Sequence, residues 1–169
     1  MKKRVFIWGL VVVTVIVFFA TNQLSGPPTK ARAQRISCIN NLKQIGLAFR
    51  VWSGDNNDQY PFNVSTNLGG TGELCQPDQE GFDRYSAIHF QAMSNELSST
   101  RVLVCPDDRT RQPADSFGIL NAANVSYRVR VGTNISELNP KEILAVCPVD
   151  GNQVRCDGTV LDKKGSRDQ

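Results

Sequence analysis

Five cysteines, Cys38, Cys75, Cys105, Cys147 and Cys156, are the side chains of this chain best suited to chemistry, and His89 is the one imidazole that could join them. Thiolates bind zinc, exchange electrons or close disulfides, and spacing is what separates these roles in a sequence. No two cysteines stand as Cys-x-x-Cys, and a single histidine completes no zinc pattern, so neither a metal nor a cofactor is expected. Two segments nevertheless repeat each other. Leu103-Val104-Cys105-Pro106-Asp107-Asp108 and Ala145-Val146-Cys147-Pro148-Val149-Asp150 both run from apolar residues into Cys-Pro-x-Asp. If the two are neighbouring strands, Cys105 and Cys147 are the disulfide candidates in an oxidising compartment; buried, inert thiols are the plainer alternative. A two-residue turn at Asp150-Gly151 would set Cys147 opposite Val154, which disfavours a bridge from Cys147 to Cys156.

The carboxylates offer less. Asp55 and Asp58, in Asp55-Asn56-Asn57-Asp58, carry hard oxygens suited to calcium. An EF-hand loop starting at Asp55 would need Gly where Tyr60 stands and a bidentate Glu where Thr66 stands, so a polar turn ending a helix is the better reading. No Ser, Cys or Asp has the local setting of an activated nucleophile, and one histidine leaves little material for acid–base work. Neither catalysis nor a small-molecule substrate is expected, and His89 reads as an ordinary polar residue on a helix.

The elements that would position these groups follow from patterning. The 169 residues suffice for one small domain and a terminal segment. The net charge of +3 is supplied by Lys2, Lys3 and Arg4, since residues 30–169 carry 16 basic and 16 acidic side chains. A neutral body without a reading motif excludes nucleic acid as a partner. Behind the basic cluster, residues 5–20 hold no charge, and residues 5–24 are just long enough as a helix to cross a bilayer of about 30 Å. Phe18 two positions before Ala20 is a poor cleavage context, so residues 1–24 are expected to stay as a transmembrane signal anchor. The charges put the N-terminus in the cytoplasm, and the body is then expected outside it.

Pro27 and Pro28 mark residues 25–29 as a linker. From Lys30 to Trp52, the residues Ile36, Ile39, Leu42, Ile45, Phe49 and Trp52 recur at spacings of three and four, which predicts a long amphipathic helix with Asn40, Lys43 and Arg50 facing away. A second helix is expected over residues 85–97, with Ile88, Ala92, Met93 and Leu97 on one side. Strands are expected at 102–104 and 125–131, and a three-strand meander at 143–147, 153–156 and 159–161, turning at Asp150-Gly151 and Asp157-Gly158. The domain is thus an α+β body at residues 30–162, followed by a polar tail at 163–169.

The run Ala33-Gln34-Arg35-Ile36-Ser37-Cys38-Ile39-Asn40-Asn41-Leu42-Lys43-Gln44-Ile45-Gly46-Leu47-Ala48-Phe49, with Tyr60-Pro61 after it, resembles the helix and following loop of bacterial type II secretion pseudopilins and related type IV pilin-like proteins. The resemblance extends to Cys105 through Asp108, to Ser126-Tyr127, and to a C-terminal His-x9-Asp-Gly motif, in which Cys147 replaces the His while Asp157-Gly158 keep their places. It implies a pilin-like fold, a long helix packed on a small antiparallel sheet, and partnership with the inner membrane and with secretion-system or pilin-like subunits. The prepilin signature of Gly followed by Phe-Thr-Leu-Ile-Glu is not found, so prepilin peptidase is not expected to process the chain. The class expected is a non-catalytic, membrane-anchored pseudopilin-like protein of type II secretion or a related pilus-like assembly. A periplasmic binding or redox module using the cysteines or the acidic loop is the alternative.

Overall fold

The computed structural model describes residues 27–163. The expected anchor at residues 1–24, and the tail beyond residue 163, lie outside the described residues. Among those described, no helix is long and apolar enough to cross a membrane. The chain divides into two units, residues 1–33 and 34–169. The described residues of the first are the opening of helix α1, and the second holds every other element below.

Helix α1 is Pro27–Asp55. It begins inside the stretch expected as a linker, because a proline in a first helical turn gives up an amide that has no intrahelical partner anyway. The buried stripe is Cys38, Leu42, Ile45, Phe49 and Trp52, while Asn40, Lys43 and Arg50 are exposed as their spacing requires. Ile36 corrects the expected stripe: it is 49% exposed, and Cys38 takes the first core position in its place. The helix stops where Asn57 and Asp58 turn left-handed (φ 57° and 58°), with the Asn56 and Asp58 amides donating to the Ser53 carbonyl at 2.9 Å each. Short polar side chains tolerate that conformation best after glycine.

The sheet is a four-stranded antiparallel meander: β1 Arg128–Val129, β2 Ile143–Val146, β3 Gln153–Arg155 and β4 Val160–Leu161, in that spatial order. The α+β class and the C-terminal meander therefore stand. The strand expected at 125–131 is cut to two residues, and the one at 102–104 is a 3-10 turn, Thr100–Leu103, started by Ser99 accepting from the Arg101 amide. The second helix, α2, is only Ala87–Ala92. Its buried line is Ala87, Phe90 and Met93, continued by Leu97 beyond the helix, rather than the Ile88 and Ala92 face. The turn joining β2 to β3 also differs: Val146 pairs with Gln153, so Cys147 stands opposite Asn152 and four residues, 148–151, make the loop.

The helix meets the sheet at Gly46. A Cβ built there would lie 2.8 Å from Cγ2 of Val154 on β3 and 3.5 Å from the Gly158 Cα. Valine is stiff at χ1 and fully buried here, so it cannot swing aside. Gly46→Ala is expected to lose about 1–3 kcal/mol to overpacking, despite alanine's better helix propensity. Urea melts of the two proteins measure this, and an unchanged or raised midpoint would show that helix and sheet are not so closely apposed.

Candidate functional site

Three of the five cysteines come together. Cys38 from α1, Cys105 from the loop after the Thr100–Leu103 turn, and Cys147 at the end of β2 are all fully buried and are joined by Asp150, which is 4% exposed. One donor atom from each lies within 4.8 Å of the others. The two Cys-Pro-x-Asp repeats meet at this site, each folded back as a knuckle, the first closed over three residues and the second over four. In the first, the Asp108 amide donates to the Cys105 carbonyl at 2.9 Å; in the second, the Gly151 amide donates to the Cys147 carbonyl at 2.8 Å. The Asp150 amide also donates to Cys147 Sγ at 3.5 Å.

Each component is held by its neighbours. Gln34 Nε2 donates to the Pro106 carbonyl at 3.0 Å and Asn41 Nδ2 to the Val104 carbonyl at 3.2 Å, so α1 grips the first knuckle on both sides of Cys38. Ser126 Oγ accepts from the Cys105 amide at 3.0 Å and donates to Asp108 at 2.7 Å. Burial would raise the Asp108 carboxyl, but hydrogen bonds from Thr110, Ser126 and Arg111 outweigh it and hold the group below the usual carboxylate range. Tyr127 Oη donates to Cys38 Sγ at 3.8 Å, and Cys105 Sγ donates to Asp150 at 3.4 Å.

All five cysteines are free thiols. Cys105 and Cys147, the disulfide candidates, do share a cluster, but it contains a third thiol and a carboxylate. Hydrogen bonds from Cys105 and Cys38 lower the Cys147 thiol well below its ordinary range, while hydrogen bonding with Cys105 and Cys147, together with burial, raises the Cys38 thiol. Complete burial keeps Cys147 from acting as an exposed redox thiol despite that acidity. Cys156 lies apart, pushed up to about 11 by burial. Asp157 and Gly158, the remaining motif residues, close the turn between β3 and β4, where Gly158 takes φ 82° and Asp157 accepts from the Thr159 amide at 2.7 Å. Asp55 and Asp58 are both exposed, and neither joins a group of three or more metal-ligating side chains among the described residues.

A second buried group centres on His89, which lies on the second helix as expected but is fully buried there and engaged by two side chains rather than an ordinary polar residue. Its Nε2 lies 3.0 Å from Asp83 Oδ2 and its Nδ1 2.7 Å from Thr71 Oγ1. In the tautomer whose Nε2–H donates to the Asp83 carboxylate, Nδ1 accepts from the threonine hydroxyl. The order hydroxyl, imidazole, carboxylate is that of a nucleophilic triad, but Thr71 is only 3% exposed, so its hydroxyl faces packed protein rather than a substrate. Cys75 is near, with its thiol pushed up to about 12 by burial and by Asp83. The group makes a poor metal site because both histidine nitrogens and both Asp83 oxygens already have partners, Asp83 Oδ1 accepting from the Tyr85 and Gln76 amides at 2.8 and 3.3 Å.

No protein-family model, curated protein or solved structure matches the chain.

Proposed function

We propose that this chain is a non-catalytic, single-pass inner-membrane protein whose pilin-like domain lies in the periplasm and serves type II secretion or a related pilus-like assembly. The observation that carries the reading is the order of its parts. A charged cluster and an apolar segment at residues 5–24 lead into a 29-residue helix, whose stripe from Cys38 to Trp52 belongs to one core with an antiparallel meander. The residues of the pseudopilin resemblance also have structural work to do: Cys105 to Asp108, Ser126, Tyr127 and Cys147 surround one buried site.

The test is made on the native chain in bacterial membranes. A full-length intact mass, resistance to alkaline extraction, digestion of the domain by protease added to spheroplasts, and crosslinking to secretion-system or pilin-like subunits are the expected results. A mass lacking residues 1–24, or a domain protected inside spheroplasts, would overturn the topology. Crosslinks that recover no such subunit would overturn the assembly role.

A further inference from the structure

We propose that Cys38, Cys105, Cys147 and Asp150 form a closed, structural zinc site that pins α1 to the two Cys-Pro-x-Asp knuckles. This does not depend on the compartment or partners proposed above.

The geometry is that of a single small ion. Zinc in structural sites takes four ligands tetrahedrally, with Zn–S near 2.3 Å and Zn–O near 2.0–2.2 Å, which puts sulfurs about 3.8 Å apart. Four donor atoms already within 4.8 Å of one another need a contraction of about 1 Å or less to reach it. An iron–sulfur cluster holds its cysteine sulfurs much farther apart, around a core of several metal atoms, so this spacing excludes one. The donor set narrows the ion further. Three thiolates select soft or borderline metals against calcium and magnesium, and the carboxylate favours divalent zinc over monovalent copper.

The surroundings are those of a metal centre. Ligand sulfurs in such centres accept hydrogen bonds from outer groups that orient them and spread their charge. Cys147 Sγ accepts from the Asp150 amide, and Cys38 Sγ from Tyr127 Oη. A separate observation lies across the loop between β2 and β3. Asn152 donates no hydrogen bond and accepts none through its side chain among the described residues, although it is fully buried. Its carbonyl accepts from the Cys147 amide at 2.8 Å, which sets the two residues opposite each other and on one face of the hairpin. A buried carboxamide left unpaired is unfavourable; beside a zinc-bound thiolate its N–H groups gain an acceptor. Binding is balanced by protons: each thiol that still carries a proton releases it to solvent as its Zn–S bond forms, and the Asp150 carboxylate adds the fourth bond.

The experiment uses the full-length chain extracted in detergent with reductant present. Elemental analysis is expected to find about one zinc per chain, and replacement by Co2+ to give thiolate-to-metal charge transfer with the strong visible bands of tetrahedral cobalt. Cys105→Ser and Cys147→Ser should lose the metal and Cys156→Ser should keep it. Cys147→His separates ligation from packing, because histidine binds zinc while fitting a buried thiol's space worse than serine does. Retained zinc in Cys147→His with loss in Cys147→Ser supports the site even if the serine variants fold poorly. A reduced chain that takes up neither zinc nor cobalt would overturn it. So would a disulfide within the trio in a parallel sample extracted without reductant, or copper bound equally well by Asp150→Ala.

Discussion

Phe49→Ala is expected to lower the stability of the domain by about 3–5 kcal/mol, the range for truncating a buried phenylalanine. The ring is fully buried on the core face of α1 and meets three others, with centroids 5.4 Å from Tyr60, 6.0 Å from Phe62 and 6.2 Å from Phe90. Tyr60 and Phe90 stand edge-on at 72° and 69°, the orientation that sets a ring's positive edge against a negative face. Removal opens a cavity bounded by rigid rings and by Tyr60, whose hydroxyl is tied to the Cys156 carbonyl at 3.0 Å, so collapse into the space is hindered. Domains of this size are stable by roughly 5–15 kcal/mol, which makes the loss a large share of the total. Thermal melts of the full chain should show a midpoint lower by about 10–20 °C. Ile36→Ala, on the same helix but half exposed, should stay within about 0.5 kcal/mol of the parent. Equal effects from the two would mean that α1 is rotated about its axis relative to the core described above.

That contrast also shows how much of the molecule could be read before folding. The spacing of Leu42, Ile45, Phe49 and Trp52 identified the core face of α1, because helical periodicity is local and repeats over several turns. Ile36 departs from the stripe because the run 36, 39, 42, 45 advances only in steps of three, each drifting about 60° on a helix of 3.6 residues per turn, so Ile36 lies on the side opposite Ile45 while Cys38 faces the core. The meander was legible from Asp-Gly pairs and alternating apolar residues, although the first loop has four residues instead of two. The 3-10 turn at Thr100–Leu103 was not, since a short apolar run has no period of its own and Ser99 capping decided its form. The paired Cys-Pro-x-Asp segments were visible as a repeat, and the structure places both at one site. Their third thiol was invisible as a partner. Cys38 is 67 residues from Cys105 in sequence and sits on a helix, so zinc spacing rules built on adjacent knuckle cysteines pass over it. Asp83 and His89, six residues apart, lacked any signal because the turn that brings them together depends on backbone amides at Gln76 and Tyr85.

The second large effect concerns that turn. Asp83→Ala is expected to lower stability by about 3–5 kcal/mol, because the buried His89 Nε2–H and the Tyr85 and Gln76 amides all lose their acceptor, at about 1–3 kcal/mol for each donor left buried without one. Asp83→Asn should be much milder, at about 1 kcal/mol. Its carbonyl oxygen can still accept from the Tyr85 and Gln76 amides, and its NH2 group then faces His89 Nε2. The imidazole meets this by moving its proton to Nδ1, which donates to Thr71 Oγ1, so nitrogen NMR of His89 should report the opposite tautomer from the parent. The pH dependence separates charge from shape. Burial pushes the Asp83 carboxyl up, but hydrogen bonds from His89 and from the Tyr85 and Gln76 amides outweigh it, and the folded-state value lies below the ordinary one. A group depressed on folding binds its proton more readily in the unfolded chain. Its contribution is therefore complete above the ordinary carboxylate value near 4 and is lost as pH falls through the lower folded value. The stability gap between the parent and Asp83→Asn should narrow over that acidic window and stay constant above it. A gap that persists unchanged into acid would mean that Asp83 is held by shape alone, and the hydrogen-bond chain from Asp83 through His89 to Thr71 would have to be redrawn.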